Sequence, residues 1–448
     1  MAGGTWRTQN KIIPGAYINF ETVPRPPSAV GDRGIGAIMI PLPWGPEEGL
    51  IDVLSEDLID GRSLPKIGLM AADEGVKLLG GMLSYCYRAQ VFRADTGGKN
   101  AEYKKDALTI TAKHPGTFGN KITVVVEAQG DQFRVSTVVD GVIRSSQVVE
   151  KYEDLKGNPY VDFEGAGDPA VSAGLVLEGG ENGTVNETKR HPQFRDALKK
   201  AAWQVMAVTT NSAAIKKDVA AFIEELRDSH GKYVQAVMPN YSEADHESIY
   251  SVINSFDLSG EDLTLADACA IAAGIVAGAP IANSPSRSAS NTGFVVRGAG
   301  RVVGELDEPT VIEAIESGHI VFARTAAGGV KLVRDVTTLR TFTDKKGKAF
   351  SKGRLVRTCD GIGSWVKLRW ETVYEGRVDN NEEGRSMLRA DIISYLSELQ
   401  GMGVIQNFAG AEHVQVQQGE ELDSVLAVIQ LWPVDSMEFL YLTCLINS

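Results

Sequence analysis

Ser424-Val425-Leu426-Ala427-Val428-Ile429-Gln430-Leu431-Trp432, then Pro433-Val434-Asp435-Ser436, then Met437-Glu438-Phe439-Leu440-Tyr441-Leu442-Thr443-Cys444-Leu445-Ile446 closes the chain. Two apolar, β-branched and aromatic runs flank a Pro/Asp/Ser turn, which is the pattern of a β-hairpin. Near the other end, Ile12-Ile13-Pro14-Gly15-Ala16-Tyr17-Ile18-Asn19-Phe20-Glu21-Thr22 reads as one short strand. Terminal segments fray unless they are tied into a sheet, and an open strand edge invites pairing with another chain. Sticky strands at both ends therefore predict strand exchange between subunits, and hence a polymer. The residues expected to carry it are Ile13, Tyr17, Ile18 and Phe20 at the start, and Val425, Val428, Ile429, Leu431, Phe439, Tyr441 and Leu442 at the end.

Inward from the ends, the texture divides the chain. Residues 1–23 form an arm, and Pro24-Arg25-Pro26-Pro27-Ser28 is a stiff spacer. In residues 24–97, Gly34–Leu42 reads as a buried strand, Leu69–Tyr87 as a helix and Ala89–Arg93 as a second strand. From residue 98 to 184 the pattern is all-β. Leu108–Lys113 alternates with period 2, and Asp140-Gly141 between Phe133–Val139 and Val142–Val149 is a strong hairpin signal. This stretch is expected to be an inserted β-sandwich. Helices and strands alternate again over 185–343, with helices at Phe194–Lys200, Ala213–Ser229, Leu265–Gly278 and Pro309–Ser317, which implies crossovers and parallel strands. In 344–448, Ser364–Tyr374 reads as mostly extended, Arg385–Gln400 as an amphipathic helix, and 424–446 as the closing hairpin arm. The fold class is thus multi-domain α/β, with an all-β insert and an α+β C-terminal part.

The 448 residues exceed one ordinary core, and 43% hydrophobic with 23% charged residues is globular composition. A formal charge of −13 disfavours a general nucleic-acid or anionic-membrane binder. The basic groups at Lys345-Lys346-Gly347-Lys348 and Lys352-Gly353-Arg354 read as a solvated hairpin turn. No run is long enough for a membrane helix, and the N-terminus shows no apolar signal segment. Cys86, Cys269, Cys359 and Cys444 have no C-x-x-C spacing and read as small core residues, which fits synthesis in a reducing cytoplasm.

No catalytic, metal or cofactor constellation emerges. The six histidines are scattered, no G-x-S-x-G or P-loop occurs, and the glycine runs at 31–36 and 298–304 miss the dinucleotide spacing. Asp245-His246-Glu247 reads as capping and solvation at a helix start. Asn283–Asn291 is a polar loop that an α/β hydrolase could use, but no nucleophile–base pair accompanies it.

The order of parts resembles the tail sheath proteins of contractile bacteriophages, phage-like bacteriocins and defective prophages. Ile13-Pro14-Gly15-Ala16-Tyr17-Ile18-Asn19-Phe20 is similar to the family's N-terminal strand. Leu108–Asn120 is similar to part of its β-sandwich, and Trp432-Pro433-Val434-Asp435-Ser436-Met437-Glu438 to its closing hairpin. The resemblance implies a subtilisin-like but non-enzymatic core fold. It also implies hexameric rings stacked helically around an inner tube, joined by exchanged terminal strands. Contraction would be a rigid-body rearrangement, with Pro24–Ser28 and Gly410–Gly419 as hinges. Implied partners are further copies of the chain, the inner tube protein, and baseplate and tail terminator proteins. No nucleic acid, inserted membrane or cofactor is implied. Assembly would take place in the bacterial host cytoplasm. Arg385, Arg389 and Glu398 on the C-terminal helix are expected to face the tube. A capsid or surface-lattice protein is the structural alternative.

Overall fold

The computed structural model describes residues 2–4, 15–17, 34–105, 107–282 and 296–446. Among them, seven strands form one sheet. In chain order they are β1 (Ile35–Ile40), β2 (Ile51–Leu54), β3 (Arg88–Arg93), β4 (Val205–Ala207), β5 (Gln235–Pro239), β6 (Ile249–Val252) and β7 (His319–Ile320). The spatial order is β7-β6-β5-β4-β1-β3-β2, parallel throughout except for the antiparallel edge strand β2. In β1, Ile38 and Ile40 feed one core while Ile35, Ala37 and Met39 feed the other. That is the period-2 alternation of a strand covered on both faces.

Helices α1 (Lys77–Leu83) and α4 (Leu265–Gly278) cover one face. The other is covered by α2 (Glu187–Lys199) and α3 (Ala213–Asp228). Helix α4 begins with a reciprocal cap: Thr264 accepts from the Asp267 N–H, and Asp267 accepts from the Thr264 N–H. It then lies directly on α1 and the turn that follows. A Cβ at Gly274 or Gly278 would collide with the backbone around Met82 or Tyr85, so only glycine permits this separation.

The β insert stands between β3 and α2. Its four-stranded sheet runs Val142–Val149, Gln132–Val139, Ile122–Gln129, Ser172–Val176, and its three-stranded sheet runs Val161–Gly165, Leu108–Ala112, Glu102–Lys105. Ile110, Ile122, Val124, Val135 and Val161 fill the space between them. Asp140 (φ 48°) and Gly141 (φ 75°) make the left-handed two-residue turn that the sequence predicts. The insert enters and leaves through a short ladder, Asp95–Thr96 against Thr184–Val185. Trp44, from the loop after β1, is fully buried against Phe118 of the insert, with ring centroids 5.1 Å apart.

The C-terminal part contains α5 (Gly353–Arg369), α6 (Glu382–Gly401), β8 (Val414–Gln418) and β9 (Val425–Ile429). The expected extended stretch Ser364–Tyr374 is instead the second half of α5 and a π-helical turn, Trp370–Tyr374. Its β-branched and aromatic content imitates a strand. However, Ile362, Trp365, Val366, Trp370 and Val373 recur every three or four residues and all pack on the α6 core. Trp365 stacks on Tyr395 at 4.1 Å and 2°. Two ion pairs tie α5 to the sheet domain: Arg357 to Asp335 at 3.0 Å, both buried, and Arg227 to the buried Asp360 at 2.7 Å, with Arg227 only 9% exposed.

Candidate assembly surface

In a sheet of this kind, ligands bind beyond the carboxyl ends of the strands, where outgoing connections diverge to opposite faces. That point lies beside β1, and here it is filled. The fully buried Arg93 guanidinium donates to Asp95 (2.7 and 3.0 Å) and to the carbonyls of Gly45 and Pro115 (2.8 Å each). Burial pushes the Asp95 carboxyl up, but Arg93 and the Leu42 N–H at 2.9 Å outweigh it and hold it below the usual range. Arg190 of α2 closes the crevice through the carbonyl of Arg93 at 2.6 Å. Among the described residues, no group of three or more His, Cys, Asp or Glu side chains could hold a metal ion. Residues 283–291 lie outside the described residues.

Asp245-His246-Glu247 is not a helix start. Asp245 has φ 44° and accepts from the N–H groups of Arg340 and Thr341, while Glu247 is buried and paired with Lys346. The triplet fastens segment 338–346 to the sheet.

The ends of the chain differ from the sequence reading in register and partner. At the start, the backbone of Ala2–Gly4 pairs in parallel with Gly15–Tyr17. Tyr17 ends that strand, and Ile13, Ile18 and Phe20 lie outside the described residues. At the finish, β9 pairs antiparallel with the upstream β8, Val414 opposite Ile429 and Gln418 opposite Val425. It does not pair with the segment downstream. Gly410–Gly419, expected as a hinge, supplies a 3₁₀ turn (Gly410–Glu412) and β8 itself. The upstream segment has the alternation Val414-Gln415-Val416-Gln417, a strand signal that the glycines at 410 and 419 obscured.

Val425, Ile429 and Leu431 are half-buried against the α6 core, whereas Val428 faces outward, about half exposed. The β8–β9 sheet has two strands, so both outer edges lack a third strand among the described residues. Beyond it, residues 437–446 contain no strand, and Phe439 (64% exposed), Leu442 (75%) and Tyr441 (92%) are largely exposed. Cys444 is likewise exposed rather than a core residue.

The expected tube-facing residues occupy different settings. Arg385 donates to the Asn380 carbonyl and side-chain oxygen, both at 3.0 Å. Arg389 donates to the carbonyls of Val414 (2.7 Å) and Ala411, so it buttresses β8. Glu398 is exposed on α6. Sequence reasoning missed the residues that hold the chain end. Lys352, Arg334 and Arg354, expected among solvated charges or not singled out at all, contact Asp435, Ser436 and Glu438.

Comparisons with known proteins identify the family of the chain. Residues 94–182 match the phage tail sheath protein beta-sandwich domain, 186–338 the phage tail sheath protein central domain, and 345–447 the phage tail sheath C-terminal domain. The chain is 28% identical to the phage-like element PBSX protein XkdK of Bacillus subtilis, over all of both chains. It superposes on the sheath tail protein of Desulfitobacterium hafniense with a TM-score of 0.78 and 31% identity, covering 94% of this chain and 97% of that one. For the sheath tail protein of Listeria innocua the values are 0.79 and 25%, covering 91% and 93%. The fold alone is shared with the helical sheath of the anti-feeding prophage in its contracted state, at a TM-score of 0.58 and 12% identity over 98% and 100%.

The fold is therefore that of a structural protein of contractile tails, not an enzyme, and it belongs to phage or phage-like particles. The chain is a member of the phage tail sheath family. No helix among its described residues is long and apolar enough to cross a membrane.

Proposed function

We propose that this chain polymerises as stacked hexameric rings around an inner tube, linked by exchanged terminal strands, and contracts by rigid-body rearrangement of its subunits to drive the tube through a cell envelope. The observation that carries this reading is the C-terminal end: a two-stranded sheet with open edges, followed by an exposed apolar segment with no strand partner among the described residues. A two-stranded sheet alone is marginal in water, and added strands from neighbours would complete its ladder. Main-chain hydrogen bonds of that kind tolerate rotation of the bodies they connect. A contact between unlike surfaces that does not close on itself propagates as a helix. The N-terminal arm, with Ile13, Tyr17, Ile18 and Phe20, would supply one incoming strand, and the segment holding Phe439, Tyr441 and Leu442 another. Residues 24–97 and 185–343 would form the subtilisin-like body, 98–184 the inserted sandwich, and 344–448 the linking domain. Arg385, Arg389 and Glu398 would be candidates for contact with the tube. Assembly in the host cytoplasm, and contact with baseplate and terminator proteins, complete it.

Negative-stain microscopy of the full chain beside a version lacking residues 1–23 tests the reading. Hollow striated cylinders from the full chain and folded, soluble particles from the truncation are expected. Monodisperse particles from both at high concentration would overturn it, and flat lattices or closed shells would favour a surface-layer or capsid role.

A further inference from the structure

The exposed C-terminal segment does not leave the body freely. Its root, residues 432–439, is fastened along a line. The Gln406 N–H donates to the Trp432 carbonyl and the Val434 N–H to the Val404 carbonyl, both at 2.9 Å. Three cations then meet the root. Lys352 reaches Glu438 at 2.6 Å and Asp435 at 3.6 Å, Arg334 reaches Glu438 at 3.3 Å, and Arg354 donates to the Ser436 hydroxyl at 3.1 Å. The Arg334 guanidinium also lies over the Phe439 ring, 5.3 Å from its centroid. Lys352 and Glu438 keep only 11% and 16% of their side-chain surface in water, so water screens this pair far less than a surface pair. Lys352 and Arg354 stand at the start of α5, and that helix is locked to the sheet domain by its own ion pairs. After Phe439 the apolar side chains Leu440, Tyr441, Leu442, Leu445 and Ile446 are exposed.

We infer that Lys352, Arg334 and Arg354 form a cationic seat that latches the acidic root Asp435–Glu438 in the same chain. The seat fixes the point and direction from which residues 440–446 depart. The inference rests on the strand-exchange reading for what the departing segment does, but the latch itself belongs to the single subunit. A fixed root confines the free segment to a small volume near the neighbour's sheet edge, which raises its effective concentration there. It also means that any swing of the segment during subunit rearrangement is taken up beyond residue 439, not at β9.

Hydrogen exchange on the unpolymerised full chain tests this, because the Val434 amide reports opening of the root. Glu438→Gln and Lys352→Gln are each expected to speed exchange at Val434 about tenfold, the usual consequence of losing a charge-assisted hydrogen bond. The double variant should fall well short of the product of the two effects, since both remove one interaction. Ile110, deep in the sandwich, should exchange unchanged, which separates local opening from general instability. Exchange at Val434 within twofold of the parent in Glu438→Gln, or effects that multiply in the double variant, would overturn the latch. Cylinder formation by the same variants is scored separately. Failure of the parent to form cylinders refutes the strand-exchange reading and leaves the exchange result standing.

Discussion

Replacing Asp335 by Asn should be among the most damaging single changes in this protein. Asp335 and Arg357 are both essentially inaccessible to water, and the guanidinium also donates to the Tyr250 hydroxyl at 3.1 Å. Burial alone would lower the Arg357 pKa; the adjacent Asp335 carboxylate reverses that and raises it above its ordinary value. Asp335→Asn removes that support, but a guanidinium is essentially always protonated near neutral pH, and a buried charge without a counter-ion costs about 3–5 kcal/mol. For a domain of this size each kcal/mol is about 2–4 °C in Tm, so Asp335→Asn should melt about 6–20 °C below the parent. The double variant Asp335→Leu with Arg357→Met removes both charges and keeps the volume, and should recover most of the loss. Calorimetry of the three proteins side by side is the assay. A Tm for Asp335→Asn within 2 °C of the parent would refute the reasoning. So would a double variant as unstable as the single, because the seam between α5 and the sheet would then be held by packing alone.

Two further outcomes are expected. Burial, the dominant influence on His191, pushes its pKa from 6.5 down to about 4, so the folded state holds the imidazole neutral. That contribution is complete above pH 6.5 and is lost as pH falls toward 4, by about 3 kcal/mol in all; urea unfolding of His191→Gln should show a correspondingly flatter stability profile between those values. Gly278→Ala drives a methyl group into the Tyr85 carbonyl and should cost about 1–3 kcal/mol in the same assay, whereas an exposed glycine such as Gly401 has no such neighbour.

The sequence revealed most where local chemistry and tertiary context agree. Helix α4 runs over Leu265–Gly278 as expected, because a Thr/Asp cap starts it and Gly278 with Pro280 stops it. The Asp140-Gly141 hairpin is equally local. Reading failed where pairing is a choice between two eligible partners. Val425–Ile429 has apolar segments on both sides, and composition alone favours the richer downstream one. The α6 core instead selects Val414–Gln418, because Val414 and Val416 can be buried there. Charges were misread for a related reason. Lys352 and Glu438 are 86 residues apart, and no periodicity announces an ion pair at that separation. The family resemblance rested on short motifs at the chain ends and in the sandwich, and the matched domains extend it over most of the chain.

The two strands that carry the sandwich in and out lie side by side, Thr96 opposite Thr184 and Asp95 opposite Val185, with the Asp95 carboxylate also accepting from the Gly183 N–H at 3.2 Å. The body of the protein therefore already has its chain closed at this neck, whatever lies beyond it. A gene could exchange everything from Gly97 to Gly183 for another module, or for a tight turn, without asking the parallel sheet to adjust. Two groups would be left wanting: the buried Arg93 guanidinium, which would lose the Pro115 carbonyl, and Trp44, whose indole has its cover in His114 and Phe118 of the sandwich. Any replacement cassette must bring an apolar cap for that ring, or the tryptophan must go with the module it serves.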